Sequence, residues 1–385
     1  MRPLPDMSNN VSHRLPLRQL FIYLVLVLVI AAIGVLVYVF RPQPQKPRPA
    51  PSPGNFGSLA LVKVALEAPA SKDSALDQTT VRTDFRTGDR LHGRTFHFGD
   101  RATDPTFTFN SGLSYSYRST DGRPNSEHRS AKGDISIPPN AFVEFEPSPT
   151  FAIEHPTLFR YFKPDDIDAL RFIFSELLDL DSASADEAMT YVSGMRELKK
   201  LSFQSLPITA QGLANLKLDS MRSLTSLLLY QTLVDGNDLS RFKILPQLKT
   251  LAFSGKNATS VIKTVRSSKE LRSLILMDAH LTDIDLKLII ECPLLKVLDI
   301  RLNPALTVVA VRYLLKQKGL QFLELDGDPS FLPVLSSMDQ LRVLVLDSGH
   351  WSDRQKEKLR RSLPHCQVLF AAPGERIVVS PAQLP

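Results

Sequence analysis

The sequence is poor in the residues that most often carry chemistry. Among 385 residues there are two cysteines and one tryptophan, and the eight histidines are scattered at positions 13, 92, 97, 128, 155, 280, 350 and 365. Cys292 and Cys366 are too few for a disulfide framework and lie far apart in the chain, so both read as reduced core residues. No Gly-rich phosphate loop, G-x-S-x-G elbow, H-E-x-x-H or Cys-x-x-Cys occurs. His92 and His97, in RLHGRTFHFGD, suggest a metal pair only until a third ligand is sought, and the polar face of a strand accounts for them. The expectation is a chain that is not an enzyme and holds no cofactor or metal.

Excess charge is scarce too, once the N-terminus is set aside. The formal net charge of +6 and a pI near 9.2 suggest a nucleic-acid binder at first sight. Residues 1–54, however, carry Arg2, Arg14, Arg18, Arg41, Lys46 and Arg48 against Asp6, and the rest is close to neutral. This basic excess flanks an apolar run and points to a bilayer, not to nucleic acid.

There is one long apolar run. Residues 20–40 carry no charge, and at about 1.5 Å per residue they span roughly 30 Å as a helix, the thickness of a bilayer's hydrocarbon core. This predicts a transmembrane helix behind a basic tail, residues 1–19. The alternative, a cleaved signal peptide, calls for an apolar region of about 7 to 15 residues ending in small side chains, whereas this run ends in Val37, Tyr38, Val39 and Phe40. Arg2, Arg14 and Arg18 on one side balance Arg41, Lys46 and Arg48 on the other, so orientation follows the usual arrangement of a lone N-terminal span, with the large domain extracytoplasmic. Residues 41–56 hold prolines at 42, 44, 47, 49, 51 and 53, a linker expected to act as a polyproline II spacer of roughly 40 Å.

Residues 57–160 change character. TFHFG, TFTFN, LSYSYRS, DISIP and AFVEFE are short, aromatic or β-branched and partly alternating, with turn signals at Thr87-Gly88-Asp89 and Pro138-Pro139-Asn140, which predicts a small β-rich module. After Pro164 the text DDIDALRFIFSELLDLD reads as a helix capped by Asp165 or Asp166, leading to a degenerate strand at Leu178 and Leu180.

From there a repeat governs the chain. Triplets fall at Leu198/Leu201/Phe203, Leu224/Leu227/Leu229, Leu248/Leu251/Phe253, Leu271/Leu274/Leu276, Leu295/Leu298/Ile300, Leu320/Leu323/Leu325 and Leu341/Leu344/Leu346. Each alternates apolar and other residues as a strand with one buried face requires, while 282–290 place apolar residues three and four apart, as a helix does. A strand and a helix in about two dozen residues cannot enclose a core alone and must stack on copies of themselves. WSDRQKEKLRRSLPHCQVLF reads as the C-terminal cap, a polar helix and last strand, and residues 373–385 as a tail.

Residues 161–372 resemble the leucine-rich-repeat family, and the turn at 271–300, with LTDIDL and Cys292 three residues before Leu295, is similar to its cysteine-containing bacterial type. The resemblance implies an α/β solenoid with a parallel sheet on the concave face and helices on the convex face, preceded by the span and the β-rich module. The asparagine or cysteine that the family places after each strand is Thr232, Lys256 and Ala279 in three turns, and only Asn303 fits, so an incomplete ladder of side-chain hydrogen bonds is expected. The second position of each triplet is Lys199, Thr225, Lys249, Arg272, Lys296, Gln321 and Arg342, five of them basic, a stripe along the sheet's margin. Leu228, Tyr230, Ile275, Met277, Phe322, Val343 and Val345 fall at outward positions as a candidate apolar patch. Together these imply a membrane-anchored scaffold that binds a protein partner through its concave face. The alternatives are an enzyme whose site lies in 57–160 and a structural envelope protein.

Overall fold

The computed structural model describes residues 86–98, 113–118, 124–131, 133–147, 149–173, 184–347 and 349–371. The apolar run at 20–40, the linker at 41–56, the strand expected near Leu178 and the tail at 373–385 lie outside the described residues. Among the described residues, no helix is long and apolar enough to cross a membrane.

Fifteen strands are described: β1 (Arg86–Asp89), β2 (Gly93–Phe98), β3 (Leu113–Arg118), β4 (Pro124–Ser130), β5 (Gly133–Ile137), β6 (Phe142–Pro147), β7 (Ala169–Ile173), β8 (Lys200–Gln204), β9 (Ser226–Tyr230), β10 (Thr250–Phe253), β11 (Ser273–Ile275), β12 (Val297–Asp299), β13 (Phe322–Leu325), β14 (Val343–Asp347) and β15 (Gln367–Ala371). From β6 to β15 ten consecutive strands run parallel in chain order, and β3 and β4 extend this sheet antiparallel beyond β6. β1, β2 and β5 form a separate three-stranded antiparallel sheet.

The register explains the leucine spacing. The middle residue of each triplet occupies one column, in which Leu170, Leu201, Leu227, Leu251, Leu274, Leu298, Leu323 and Leu344 are paired from strand to strand. All point into one core that runs without interruption from Phe96 to Val368. Each such leucine contributes roughly 1.5–3 kcal/mol by leaving water.

The helices opposite the sheet are short, for example Ala258–Val265, Asp283–Ile289 and Val308–Leu314. Segments of this length do not persist alone in water. They hold because Val261, Ile262 and Val265, then Leu286 and Ile289, then Ala310, Val311 and Leu314 join the core, and because one turn clamps the next. The carboxylate of Asp186 accepts the Thr209 N–H at 2.8 Å and its hydroxyl at 2.6 Å. Asp283 does the same for Thr307, at 2.9 and 2.6 Å.

The helix expected after Pro164 is not formed at 169–173, which is strand β7, paired in register between β6 and β8. Ile167, Leu170 and Phe172 are buried and form a further I-x-x-L-x-F triplet, and the Phe172 ring stacks on Phe203 at 5.3 Å. Pairing with two neighbours outweighs the helical spacing of the local text. Asp166 begins no helix and accepts the Lys163 N–H at 2.7 Å.

At the other end the helix Asp353–Ser362 is polar, with Leu359 its buried residue, and Ser352 and Gln355 form a capping box. Trp351 packs on Phe370 at 5.6 Å, and the Arg360 guanidinium lies over the same ring at 5.2 Å. The outer helix of this last described turn is thus polar, where the helices of the preceding turns bury an apolar side.

Candidate functional site: the open face and margins of the parallel sheet

The basic stripe is a column in register. The backbone N–H of Thr225 donates to the Lys199 carbonyl at 2.9 Å, Lys249 to Thr225 at 2.8 Å, Arg272 to Lys249 at 2.9 Å, Lys296 to Arg272 at 2.8 Å, Gln321 to Lys296 at 2.8 Å and Arg342 to Gln321 at 2.8 Å. These residues therefore follow one another at the strand spacing, about 4.8 Å, along the edge where strands begin. Two of the five basic side chains are engaged. Lys199 Nζ lies 3.0 Å from Asp168, and Arg272 donates to the carbonyls of Lys269 and Glu270 at 3.3 and 2.9 Å. Lys249, Lys296 and Arg342 are exposed and make no side-chain hydrogen bond or ion pair among the described residues.

The open face, opposite the helices, carries two outward columns. Ser226, Thr250, Ser273, Val297, Phe322 and Val343 form one, and Leu228, Ala252, Ile275, Asp299, Glu324 and Val345 the other. Leu228 and Ile275 on the central strands, and Met277 in the turn after β11, are half-buried, leaving apolar surface there. Phe322, Val343 and Val345 do not behave as expected from sequence. They are 7%, 6% and 1% exposed, forming with Ala371 a cluster separate from the core, with Val297 and Leu369 packed against it. Large side chains on neighbouring strands cover one another when every position is filled. Tyr230 is also buried, at 8%.

Acidic residues on this face are already matched. Arg301 reaches Asp299 at 2.8 Å and Glu324 at 2.9 Å, so neither carboxylate offsets the basic column. At the first strands, Glu144 takes Lys200 at 3.3 Å and Arg171 at 3.6 Å.

A buried charge cluster, not singled out in the sequence, sits where the three-stranded sheet meets β7. Asp168 is inaccessible, accepts the Val143 N–H at 3.0 Å, pairs with Lys199 and Arg90, and has Arg94 at 3.8 Å. Burial raises its pKa, but hydrogen bonds from Arg90, Val143 and Lys199 outweigh that and hold the carboxyl below its ordinary value. Asp166 is equally inaccessible, and burial pushes it up to about 6 against the pull of Lys163 and Arg86. Its Oδ1 lies 2.8 Å from Arg86 Nε, but no aligned hydrogen bond joins them. The cluster's members come from segments 86–94, 163–168 and 199, which no periodicity connects.

His92 and His97 have different partners: His92 contacts Asp89 at 2.9 Å and His97 contacts Asp134 at 2.8 Å. Among the described residues, no group of three or more His, Cys, Asp or Glu is placed to hold a metal ion. Cys292 is buried, and its thiol is pushed up to about 12 by that burial.

Among the described residues, each margin of the sheet carries a recess. One of about 660 Å³ opens on the margin where β8 and β9 begin, lined by Arg196, Glu197, Lys217, Asp219, Ser220, Arg222 and Phe242. The other, about 480 Å³, lies on the opposite margin among Leu302, Pro304, Leu306, Phe331, Asp326, Asp328 and Asp347. Its carboxylates are used locally, Asp326 by the Asn303 N–H at 3.1 Å, Asp328 by Ser330 at 2.7 Å and Asp347 by Gly349 at 2.8 Å.

No protein-family model matches the chain, and none of the curated proteins matches its sequence. Among solved structures, a leucine-rich-repeat protein of Leptospira interrogans aligns at 19% identity over 54% of this chain and 62% of its own, with a TM-score of 0.30. A plant peptide hormone receptor in complex with RGF2 aligns at 14% identity over 46% of this chain and 32% of its own, with a TM-score of 0.27. The chain thus spans less than two thirds of either protein's length. Its own architecture is an α/β fold with a ten-stranded parallel sheet, consistent with a leucine-rich-repeat solenoid.

Proposed function

We propose that this chain is a membrane-anchored, non-catalytic scaffold that binds a protein partner through the open face of its repeat sheet. The observation that carries this reading is the half-buried apolar surface of Leu228 and Ile275 on central strands and of Met277 in the turn after β11, with the column of Lys249, Arg272 and Lys296 at the margin beyond Ser226, Thr250 and Ser273. Apolar anchors with a charged border are what a protein interface requires: the anchors supply affinity and the border supplies steering. Laddered strands hold Leu228 and Ile275 without a loop to order on binding. Tyr230, Phe322 and Val343 support the surface from within, and Lys199 and Arg342 extend the border.

The anchoring part of the reading rests on residues 20–40 alone, with the repeats on the extracytoplasmic side. Extraction of source membranes with alkaline carbonate, followed by protease treatment of intact cells, tests both points. The reading requires retention in the pellet and digestion from outside.

Partner binding is tested with the full chain in a crosslinking pull-down, wild type against Ile275→Arg/Met277→Arg, with melting curves to confirm folding. A protein enriched by the wild type and lost with the folded variant supports the reading. An unchanged set of crosslinked proteins contradicts it.

A further inference from the structure

The two margins of the sheet differ in charge far more than the five-residue column shows. The eight segments that lead into β8 through β15 carry fourteen Lys and Arg against five Asp and Glu. The seven that leave β8 through β14 carry two against four. Of the fourteen, Lys199 pairs with Asp168, Arg241 with Asp238, Arg266 with Glu291, and Arg272 is tied to carbonyls of its own turn. The other ten, among them Lys217, Arg222, Lys249, Lys296, Lys318 and Arg342, are exposed and have no side-chain partner among the described residues. Two of their acidic neighbours are held by local hydrogen bonds and keep their charge: Glu197 takes the Ser223 hydroxyl at 2.6 Å, and Asp219 takes the Ile244 N–H at 3.0 Å.

The ten cations without an ion-pair partner outnumber the four carboxylates on the same margin that are also outside ion pairs, Glu197, Asp219, Glu270 and Asp339, and a polyanion laid along them relieves the remaining repulsion. What kind of polyanion follows from what the margin lacks. Base stacking along a nucleic-acid strand needs successive aromatic platforms, and the eight segments hold one aromatic residue, Phe242. A protein partner needs apolar anchors, and Leu294 is the one large apolar side chain counted as exposed there. A bilayer is a broad surface and does not enter a recess, whereas Arg196, Lys217 and Arg222, in excess over Glu197 and Asp219, line one of about 660 Å³ beside half-buried Phe242. An acidic sugar unit matches that recess: its anionic group meets the cations and the C–H face of its ring meets Phe242.

We propose that the margin where the strands begin is a docking surface for a linear anionic polysaccharide, sulfated or uronate, with the recess beside Phe242 seating one acidic sugar and the column Lys249, Arg272, Lys296 and Arg342 following the chain. The column is shared with the border of the open face, whereas the recess lies outside that face, so loss of binding on reversal at Lys217 and Arg222 tests this inference whether or not the open face binds a protein.

The test uses the full chain and a size-defined heparin dodecasaccharide, with its desulfated form, poly-aspartate and single-stranded DNA as comparison probes, in affinity titrations at two salt concentrations. Reversal at the recess, Lys217→Glu/Arg222→Glu, and in the column, Lys249→Glu/Lys296→Glu, is each expected to weaken dodecasaccharide binding by roughly tenfold or more, with a smaller salt dependence. Lys287→Glu/Arg312→Glu, on exposed helix positions with the same change in net charge, is expected to leave affinity within about twofold. Equal losses from all three double variants, or no binding of the dodecasaccharide, overturn the proposal. Tighter binding of poly-aspartate or of single-stranded DNA also overturns it, in favour of an acidic protein or a nucleic acid.

Discussion

The side-chain oxygen of Asn303 sits 3.1 Å from the backbone N–H of Ala279, one turn earlier in the stack, and 2.9 Å from that of Leu281. Its amide donates to the carbonyls of Leu276, Ile300 and Arg301 at 2.8, 2.9 and 3.0 Å, so one buried side chain serves two successive turns. Removing it leaves several buried backbone groups without partners, each worth about 1 kcal/mol or more. Asn303→Ala is expected to lower unfolding free energy by about 3 kcal/mol in urea titrations. At the corresponding place three turns earlier the Thr232 hydroxyl is buried and makes no hydrogen bond. Thr232→Val is therefore expected to change stability by less than about 0.5 kcal/mol.

The two faces of one strand separate packing from surface. Leu274 is fully buried and its neighbour Ile275 is half-buried on the open face. Leu274→Ala is expected to cost about 3 kcal/mol as a core truncation, and Ile275→Ala less than about 1 kcal/mol. Thermal or chemical denaturation of the two variants checks the difference.

Asp166 and Asp168 respond to pH in opposite senses. Asp166, with its pKa raised to about 6, is favoured neutral in the folded state. The stability this gives is full below the ordinary carboxylate value near 4 and is lost as pH rises through about 6. Asp168, held below its ordinary value, contributes stability above that value and loses it as pH falls further. Asp166→Asn is expected to remove the loss between about pH 4 and 6 from a series of melting temperatures. Asp168→Asn is expected to destabilise strongly at neutral pH, because Arg90, Arg94 and Lys199 lose their charged partner.

Gly327 allows the C-terminal cap to close. A Cβ there would fall 2.5 Å from the Asp347 carbonyl oxygen and against the indole nitrogen of Trp351. Gly327→Ala is expected to cost roughly 1–3 kcal/mol and to loosen the last turn first. Trp351 is the one tryptophan in the chain, so its fluorescence reports on that turn: a red shift at denaturant concentrations below the main transition is the expected signature.

The strands of the repeat were legible because their period is written in the core itself. Every leucine triplet marks a described strand, and the helix expected at 282–290 is seen at Asp283–Ile289. β7 was missed because its triplet, Ile167, Leu170 and Phe172, contains one leucine and sits in text whose spacing also suits a helix. The basic column was readable as residues, but its pairings were not: Lys199 belongs to Asp168, a contact across separate elements. Burial of Phe322, Val343 and Val345 was not readable either, since alternation gives the side of a sheet a residue faces and not what its neighbours on that side cover.

Binding of a protein partner at the open face of the sheet, and not at the helical face, is decided by placing a photo-activatable amino acid at Ile275 or at Lys287, a helical-face position, in the full chain and irradiating both in source membranes. A discrete protein adduct from the Ile275 position, absent from the Lys287 position, is the expected result. The same adducts from both positions, or adducts from Lys287 alone, would contradict it.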